Sequence, residues 1–385
     1  MITITTTEAL AAFCSRAAKA PYVTVDTEFL RERTYYSKLC LIQLALPGKA
    51  EEDAVLVDPI LGSDMDLAPL YDLFRNEAVV KVFHAARQDL EIFYIEGGVI
   101  PKPLFDTQVA AMVCGFGEQV GYETLVRKLA KAQVDKTSRF TDWSRRPLSE
   151  AQQTYALADV THLRVVYEAL AADLAKSGRH HWVEEEMAVL TAPETYVTKP
   201  EDAWLKVRTR THSGRFLAIV RELARFREDY AQSRNVPRNR VMKDDALLEI
   251  ASLKPATVGD LGKARLVLRE ARKGDIAEGI IAAVKAGLAV PADALPKPVV
   301  GEQLQVNPAL ADLLRVLLKA KAESAGVAAK LIATASDLDA LAAGKRDSAA
   351  LRGWRNEVFG EDAMKLCEGK IALAAKGNQV QVIPL

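Results

Sequence analysis

Five side chains in three widely separated segments have the types and spacing that chemistry needs. Asp26 and Glu28 lie in Val25-Asp26-Thr27-Glu28, Asp89 closes His84-Ala85-Ala86-Arg87-Gln88-Asp89, and Tyr155 and Asp159 bracket Tyr155-Ala156-Leu157-Ala158-Asp159. Carboxylate oxygens suit hard divalent cations such as Mg²⁺ or Mn²⁺. Two such ions about 4 Å apart activate a water and stabilise a leaving oxygen in phosphodiester hydrolysis. The simplest reading gathers all five groups at one two-metal site. Asp26 and Glu28 are one residue apart on a predicted strand, so both point to one face and repel unless a cation lies between them. Tyr155 and Asp159 stand at i and i+4 of a predicted helix and share its surface; the phenol would orient a water while the carboxylate binds metal. Asp89 falls in the first turn of a helix, where compensating the helix dipole is its ordinary use. Taken singly, the first pair also fits the polar end of a strand, and the last a core tyrosine beside a solvent-facing acid.

The elements that must position these groups are legible as changes of apolar period. Thr5 and Glu8 resemble a capping box for a helix over Ala9 to Ala18. Three β-branched or aliphatic runs, Tyr22 to Asp26, Leu39 to Leu46 and Ala54 to Asp58, predict strands, the first two paired as a hairpin through Arg31 to Lys38. Leu67, Leu70, Leu73 and Phe74 fit a helix, Val79 to His84 a buried strand, and Leu90, Phe93 and Tyr94 a further helical face. From Phe105 the pattern is mainly helical, over Thr107 to Cys114, Tyr122 to Ala132, and Ser149 to Ala175 with Ser149 as N-cap. Strands followed by alternating strand and helix indicate an α/β domain.

Thr191 to Asp202 reads as a linker, and the prolines of Pro291 to Pro298 mark a second boundary. The expected units are therefore 1–200, 205–290 and 300–385, the latter two helical, with an irregular or extended tail from Gly377. The zero net charge of the 385 residues conceals a division. Residues 1–202 carry 21 Lys and Arg against 30 Asp and Glu, a net −9; residues 203–290 carry 18 against 10, a net +8; residues 291–385 carry 12 against 11, a net +1. A basic module beside an acidic, cation-collecting one suits a nucleic-acid enzyme, although basic residues also simply solvate helix faces. No run of about 18 apolar residues is present to span a bilayer, the start of the chain lacks a secretory signal, and the expected compartment is the cytoplasm. The four cysteines, Cys14, Cys40, Cys114 and Cys367, are too dispersed for a metal knuckle or a disulfide framework.

The order DxE, then Asp, then Tyr-x-x-x-Asp, in strand, strand-to-helix junction and long helix, resembles the DEDDy exonucleases of the ribonuclease-H-like superfamily. Asp142-Trp143-Ser144-Arg145-Arg146-Pro147-Leu148, followed by Gln152 and Tyr155 to Val160, narrows the likeness to the ribonuclease D family over residues 20–175. The resemblance implies an α/β ribonuclease-H-like exonuclease domain with a mixed sheet. It also implies Asp26, Glu28, Asp89 and Asp159 as ligands of two divalent ions, Mg²⁺ or Mn²⁺, with Tyr155 positioning the water. The implied reaction is 3′ to 5′ hydrolysis of RNA with a free 3′ end, tRNA precursors being favoured, by a monomer releasing nucleoside 5′-monophosphates. Phe216 to Arg227, Asn235 to Met242 and Asp244 to Ala251 are similar to the HRDC domain, a helical nucleic-acid-binding module, and residues 300–385 resemble a second, degenerate copy. That last module is expected to close a ring at the exonuclease entrance by contacting residues 1–200. Substrate contacts are expected of Phe29 by stacking on a terminal base, of Gln43 from an apolar strand, and of His84 to a phosphate or sugar; Asp106 is assigned to helix capping. A DNA-directed exonuclease and a catalytically silent RNA-binding scaffold are the competing readings.

Overall fold

A six-stranded mixed sheet between helices forms the N-terminal part of the computed structural model, which describes residues 1–135, 137–139, 141–211, 213–297 and 304–385. In chain order the elements are β1 (Ile2–Ile4), α1 (Thr7–Ala17), β2 (Tyr22–Leu30), β3 (Lys38–Ala45), β4 (Ala54–Val57), α2 (Ala68–Arg75) and β5 (Val80–Phe83). Then follow α3 (Arg87–Gly97), β6 (Leu104–Asp106), α4 (Thr107–Val113), α5 (Tyr122–Leu125), α6 (Glu150–Ser177) and α7 (His180–Leu190). The strands lie in the order β1-β4-β3-β2-β5-β6. The hairpin β2–β3 and the pair β3–β4 are antiparallel, and the remaining pairs are parallel.

Because β2 and β3 are covered on both faces, their sequences are almost continuously apolar. On one face Val23, Val25, Ile42 and Leu44 meet Leu10 of α1, Phe74 of α2 and Phe93 of α3. On the other, Ala156 of α6 packs on Leu41 and Leu56, and Val160 on Ala45 and Ala54. Ala156 and Val160, at i and i+4, present one apolar face of the 28-residue α6 to the sheet. Ser149 caps it as expected, in a capping box with Gln152.

Several expectations need correction. The first helix is capped by Thr6, not Thr5. β2 extends past the expected Tyr22 to Asp26 run as far as Leu30, and carries both Asp26 and Glu28 as expected. β1 and β6, three residues each, were not expected. The segment after α5 closes in a π-helical turn over Val126–Ala130. The expected tail from Gly377 is half of a hairpin, described below.

The second module comprises α8 (Gly214–Ser233), α9 (Arg238–Val241), α10 (Asp244–Leu253) and α11 (Gly274–Ala289) around its own core, centred on Leu223, Leu247, Ile250, Ile280 and Val284. The third comprises α12 (Pro308–Ala325), α13 (Ala329–Ile332), α14 (Ala335–Ala342), α15 (Gly353–Arg355) and α16 (Glu361–Cys367), then the hairpin β7 (Ile371–Lys376) and β8 (Gln379–Pro384). Residues 298–303, which hold the last proline of the expected boundary and the expected start of the third unit, lie outside the described residues.

The third module contacts residues 1–200, as the ring expectation requires. Its apolar core is continuous with the core beneath the sheet. The Trp354 ring stacks on Trp182 of α7 at 4.5 Å and 13°, and Arg355 pairs with Glu185 and Glu186. Ala328 N–H donates to the Met112 carbonyl at 3.0 Å. At Gly115, with φ +79°, a Cβ would lie 2.7 Å from the Gly326 carbonyl oxygen, so only glycine admits this approach. No helix among the described residues is long and apolar enough to cross a membrane.

Candidate active site

The three acid-bearing segments converge where β2, the start of α3 and the middle of α6 meet. A β-bulge between Glu28 and Phe29 shifts the β2–β3 register immediately after the second acid, a common device for re-aiming a side chain beside a site. Carboxylate oxygens of Asp26, Glu28 and Asp159 lie within 4.8 Å of one another. Asp89 stands beside them, close enough for the Asp26 charge to raise its pKa, and its carboxylate accepts a hydrogen bond from Thr27.

Crowding and burial together hold protons on this cluster. Burial first, then the Asp159 charge, pushes Asp26 well above the usual carboxylate range. Burial and the charges of Asp26, Asp159 and Asp89 push Glu28 up to about 10. Asp159 is pushed up to about 7 by burial, with Tyr155 and Arg139 acting in the opposite sense. Buried carboxylates brought this close fit hard divalent cations, which would remove the repulsion that otherwise favours protonation.

Tyr155 brings its hydroxyl within hydrogen-bonding reach of Asp159, and burial followed by the Asp159 charge raises the phenol pKa, so it stays protonated. Its ring lies 6.0 Å from the buried Trp143. Trp143 belongs to the Asp142 to Leu148 motif, whose anchor is Arg146. That guanidinium donates to both carboxylate oxygens of buried Asp58 at 2.6 and 2.8 Å and to the Cys40 carbonyl at 2.7 Å. The motif thus fixes the approach to α6 rather than touching the acids.

The cleft beside the acids, about 360 Å³, is lined by Asp26, His84, Tyr122, Arg139, Tyr155 and Asp159. Sequence reasoning missed two of these. Arg139 lowers the pKa of Glu28 and Asp159 from a loop with no periodic signal. Tyr122 donates to the Asp159 carbonyl, tying the start of α5 to α6; as an aromatic on a predicted helix face it reads as core.

The candidate substrate residues separate. His84 lines the cleft, with Nδ1 3.0 Å from Thr107 Oγ1. The Thr107 hydroxyl spends its proton on the Phe83 carbonyl at 3.0 Å, so His84 Nδ1 must donate to it and Nε2 is left as an acceptor. Burial lowers the imidazole pKa, which keeps the ring neutral. Phe29 is half-buried and packs against the main core. Gln43 is 0% exposed, so neither the expected substrate contact nor the solvent-facing alternative holds in this conformation. It lies directly across from Asp26 in the β2–β3 register, between Leu41 and Ala45, which α6 covers. Both polar atoms of its amide lack a hydrogen-bond partner. Asp106 caps α4 as assigned and also accepts from Ala85 and Ala86 N–H.

The chain is similar to known proteins over nearly its whole length. Residues 1–175 match the 3′-5′ exonuclease domain family and residues 216–284 the HRDC domain. The chain is 65% identical over 382 residues to ribonuclease D of Jannaschia sp. (strain CCS1), covering 99% of each chain. It is 51% identical over 381 residues to ribonuclease D of Nitrobacter hamburgensis, covering 98% of each. The crystal structure of Escherichia coli RNase D, described as an exoribonuclease involved in structured RNA processing, superposes with a TM-score of 0.82 at 31% identity over 95% of this chain and 98% of that one.

Proposed function

The chain belongs to the ribonuclease D family and is a 3′ to 5′ exoribonuclease, and we propose that it works through two divalent cations, Mg²⁺ or Mn²⁺, held by Asp26, Glu28, Asp89 and Asp159. The carrying observation is the trio of crowded carboxylates within 4.8 Å, with Asp89 coupled to the same Asp26. Asp26 borders both the Glu28–Asp159 group and Asp89, which places it at the centre of the set that would hold the ions. Bound there, the ions would supply a hydroxide-like nucleophile near neutral pH and charge for the departing 3′ oxygen. Tyr155, kept protonated and braced by Trp143, orients the nucleophilic water. Gln43 is better read as a positioning residue than as a substrate contact, its unpartnered amide being available to steer the Asp26 carboxylate.

His84 bears on the choice between RNA and DNA. An Nε2 acceptor in the cleft pairs with a sugar hydroxyl and not with phosphate oxygens, which only accept, and it discriminates RNA from DNA where that hydroxyl is the 2′-hydroxyl. We therefore assign it to the terminal ribose, and Phe29 to the neighbouring base. The favoured substrates are 3′ extensions of structured RNAs, tRNA precursors above all, processed by a cytoplasmic monomer. The unit boundaries we adopt are 1–200, 205–290 and 300–385. A second, degenerate HRDC-like module at the C-terminus is supported by repeated order: a long helix, a four-residue helix and a shorter helix recur as α8, α9, α10 and as α12, α13, α14, the last two starting six residues apart in both.

Matched 3′-tailed RNA and DNA oligonucleotides with Mn²⁺ test the reading. Mononucleotide release should be faster from RNA, and His84→Ala should narrow that difference. Equal rates would favour the DNA-directed alternative, and metal-independent RNA binding without release would favour a silent scaffold.

A further inference from the structure

A second cavity, about 660 Å³, opens where the second module meets the exonuclease domain, and its lining differs in kind from the acid cleft. Arg31, Arg87, Lys206 and Arg238 face it with one carboxylate, Glu91. Arg31 pairs with Glu91 at 3.2 Å, and Arg238 with the buried Glu228 behind the wall. Among the described residues Arg87 and Lys206, both exposed, have no ion-pair partner. The half-buried Tyr36 contributes a ring to the same lining.

The walls are built, not incidental. Asn235 of the second module accepts hydrogen bonds from the Tyr35 and Tyr36 N–H groups at 3.1 and 3.0 Å. The Tyr35 hydroxyl is held by Glu228, by Arg238 at 2.7 Å and by Gln232 at 3.2 Å. Both walls on the exonuclease side continue acid-bearing segments. Arg31 follows Glu28 by three residues, about 10 Å of extended chain, and Arg87 and Gln88 immediately precede Asp89 on α3. Tyr196, in the same lining, is close enough to Asp89 for that charge to act on its phenol, so a strand whose 3′ end reaches the acids has this cavity near its path.

We propose that the cavity is a binding site for the single-stranded RNA segment on the 5′ side of the bond being cut, with Arg87 and Lys206 neutralising phosphates and Tyr36 stacking a base. This rests on the exoribonuclease reading above. Unpaired cations interleaved with an aromatic ring are the chemistry of a sequence-tolerant single-strand groove. The second module's net +8 then serves substrate capture by forming one wall of the path.

The test is Arg87→Ala/Lys206→Ala against a control of equal charge change, Lys19→Ala/Lys176→Ala, two exposed lysines outside the lining. In an Asp26→Asn background, binding of single-stranded RNA of about twelve nucleotides is followed by anisotropy across a salt series. Losing two phosphate contacts lowers the slope of log K against log salt by about 1.4, and binding at low salt weakens by roughly tenfold. With Asp26 intact, kcat/KM for that RNA relative to a dinucleotide should fall by a similar factor, and Tyr36→Leu should reduce the same ratio. The proposal is overturned if the cavity variant leaves slope and ratio unchanged, or if the control moves them equally. Absence of RNA hydrolysis by the unaltered protein would instead defeat the exoribonuclease reading, leaving the binding slopes still interpretable.

Discussion

Carboxylates within 4.8 Å of one another make the metal-free protein a poor resting place for negative charge. With pKa values raised above the ordinary range of about 4, Asp26, Glu28, Asp89 and Asp159 bind more protons folded than unfolded. Their contribution to stability is therefore present at low pH and lost as pH rises through the folded values, about 7 for Asp159 and about 10 for Glu28. We expect the Tm of metal-free protein minus that of its Asp26→Asn variant to fall between pH 5 and pH 8. Mn²⁺ should raise Tm more at pH 8 than at pH 6; a metal-free Tm difference between unaltered protein and Asp26→Asn that grew with pH would contradict the cluster. Gln43 gives an opposite kind of signature. A buried unpaired amide costs about 1–3 kcal/mol, so Gln43→Leu should leave Tm unchanged or higher while raising the Mn²⁺ concentration needed for half-maximal rate, with KM for RNA unaltered. A fall in Tm with unchanged metal dependence would make Gln43 merely structural. The Asp26–Glu28 and Tyr155–Asp159 pairs could be read as sharing a face from strand and helix periods, whereas joining them with Asp89 in one site came from the family resemblance. The burial of Gln43 was not, because a polar residue in an apolar strand reads the same whether it faces water or lies beneath a helix.

Elements place the site through a few anchors. The N-cap of α6 was readable from Ser149 and Gln152 because capping needs particular side chains at particular positions. β1 and β6 were not readable, since three residues cannot establish a period and their stability comes from parallel pairing with β4 and β5. The C-terminal hairpin was half seen: Gly377, at φ +62°, marks its turn, but the alanine-rich Ile371–Lys376 reads as helix until β8 pairs with it. Arg146 is the anchor whose removal is most informative. Asp58 would remain buried at 1% exposure without its counter-charge, so Arg146→Ala should cost about 3–5 kcal/mol. It should also lower kcat by loosening Trp143 behind Tyr155. Urea unfolding checks the first effect and single-turnover hydrolysis the second; a cost under about 1 kcal/mol would mean that the pair is not an anchor.

At the scale of the molecule, sequence length, prolines and charge separated three units, yet the third shares its core with the first. Nothing in the sequence pairs Trp354 with Trp182, because a tryptophan on a helix looks alike whether it serves its own module or another. Trp354→Ala should cost about 3–5 kcal/mol and split one cooperative thermal transition into two, as the C-terminal module releases first. A single transition with unchanged Tm would show that the shared core does not couple them.

The central claim is that acids distant in sequence jointly hold cations that cut RNA from its 3′ end. A 5′-labelled RNA with a single-stranded 3′ tail, sampled over time with Mn²⁺, tests it most directly. Stepwise shortening with release of nucleoside 5′-monophosphates is expected, abolished by chelation and by Asp26→Asn alike. Hydrolysis that survives both, or products carrying 3′-phosphates, would contradict it.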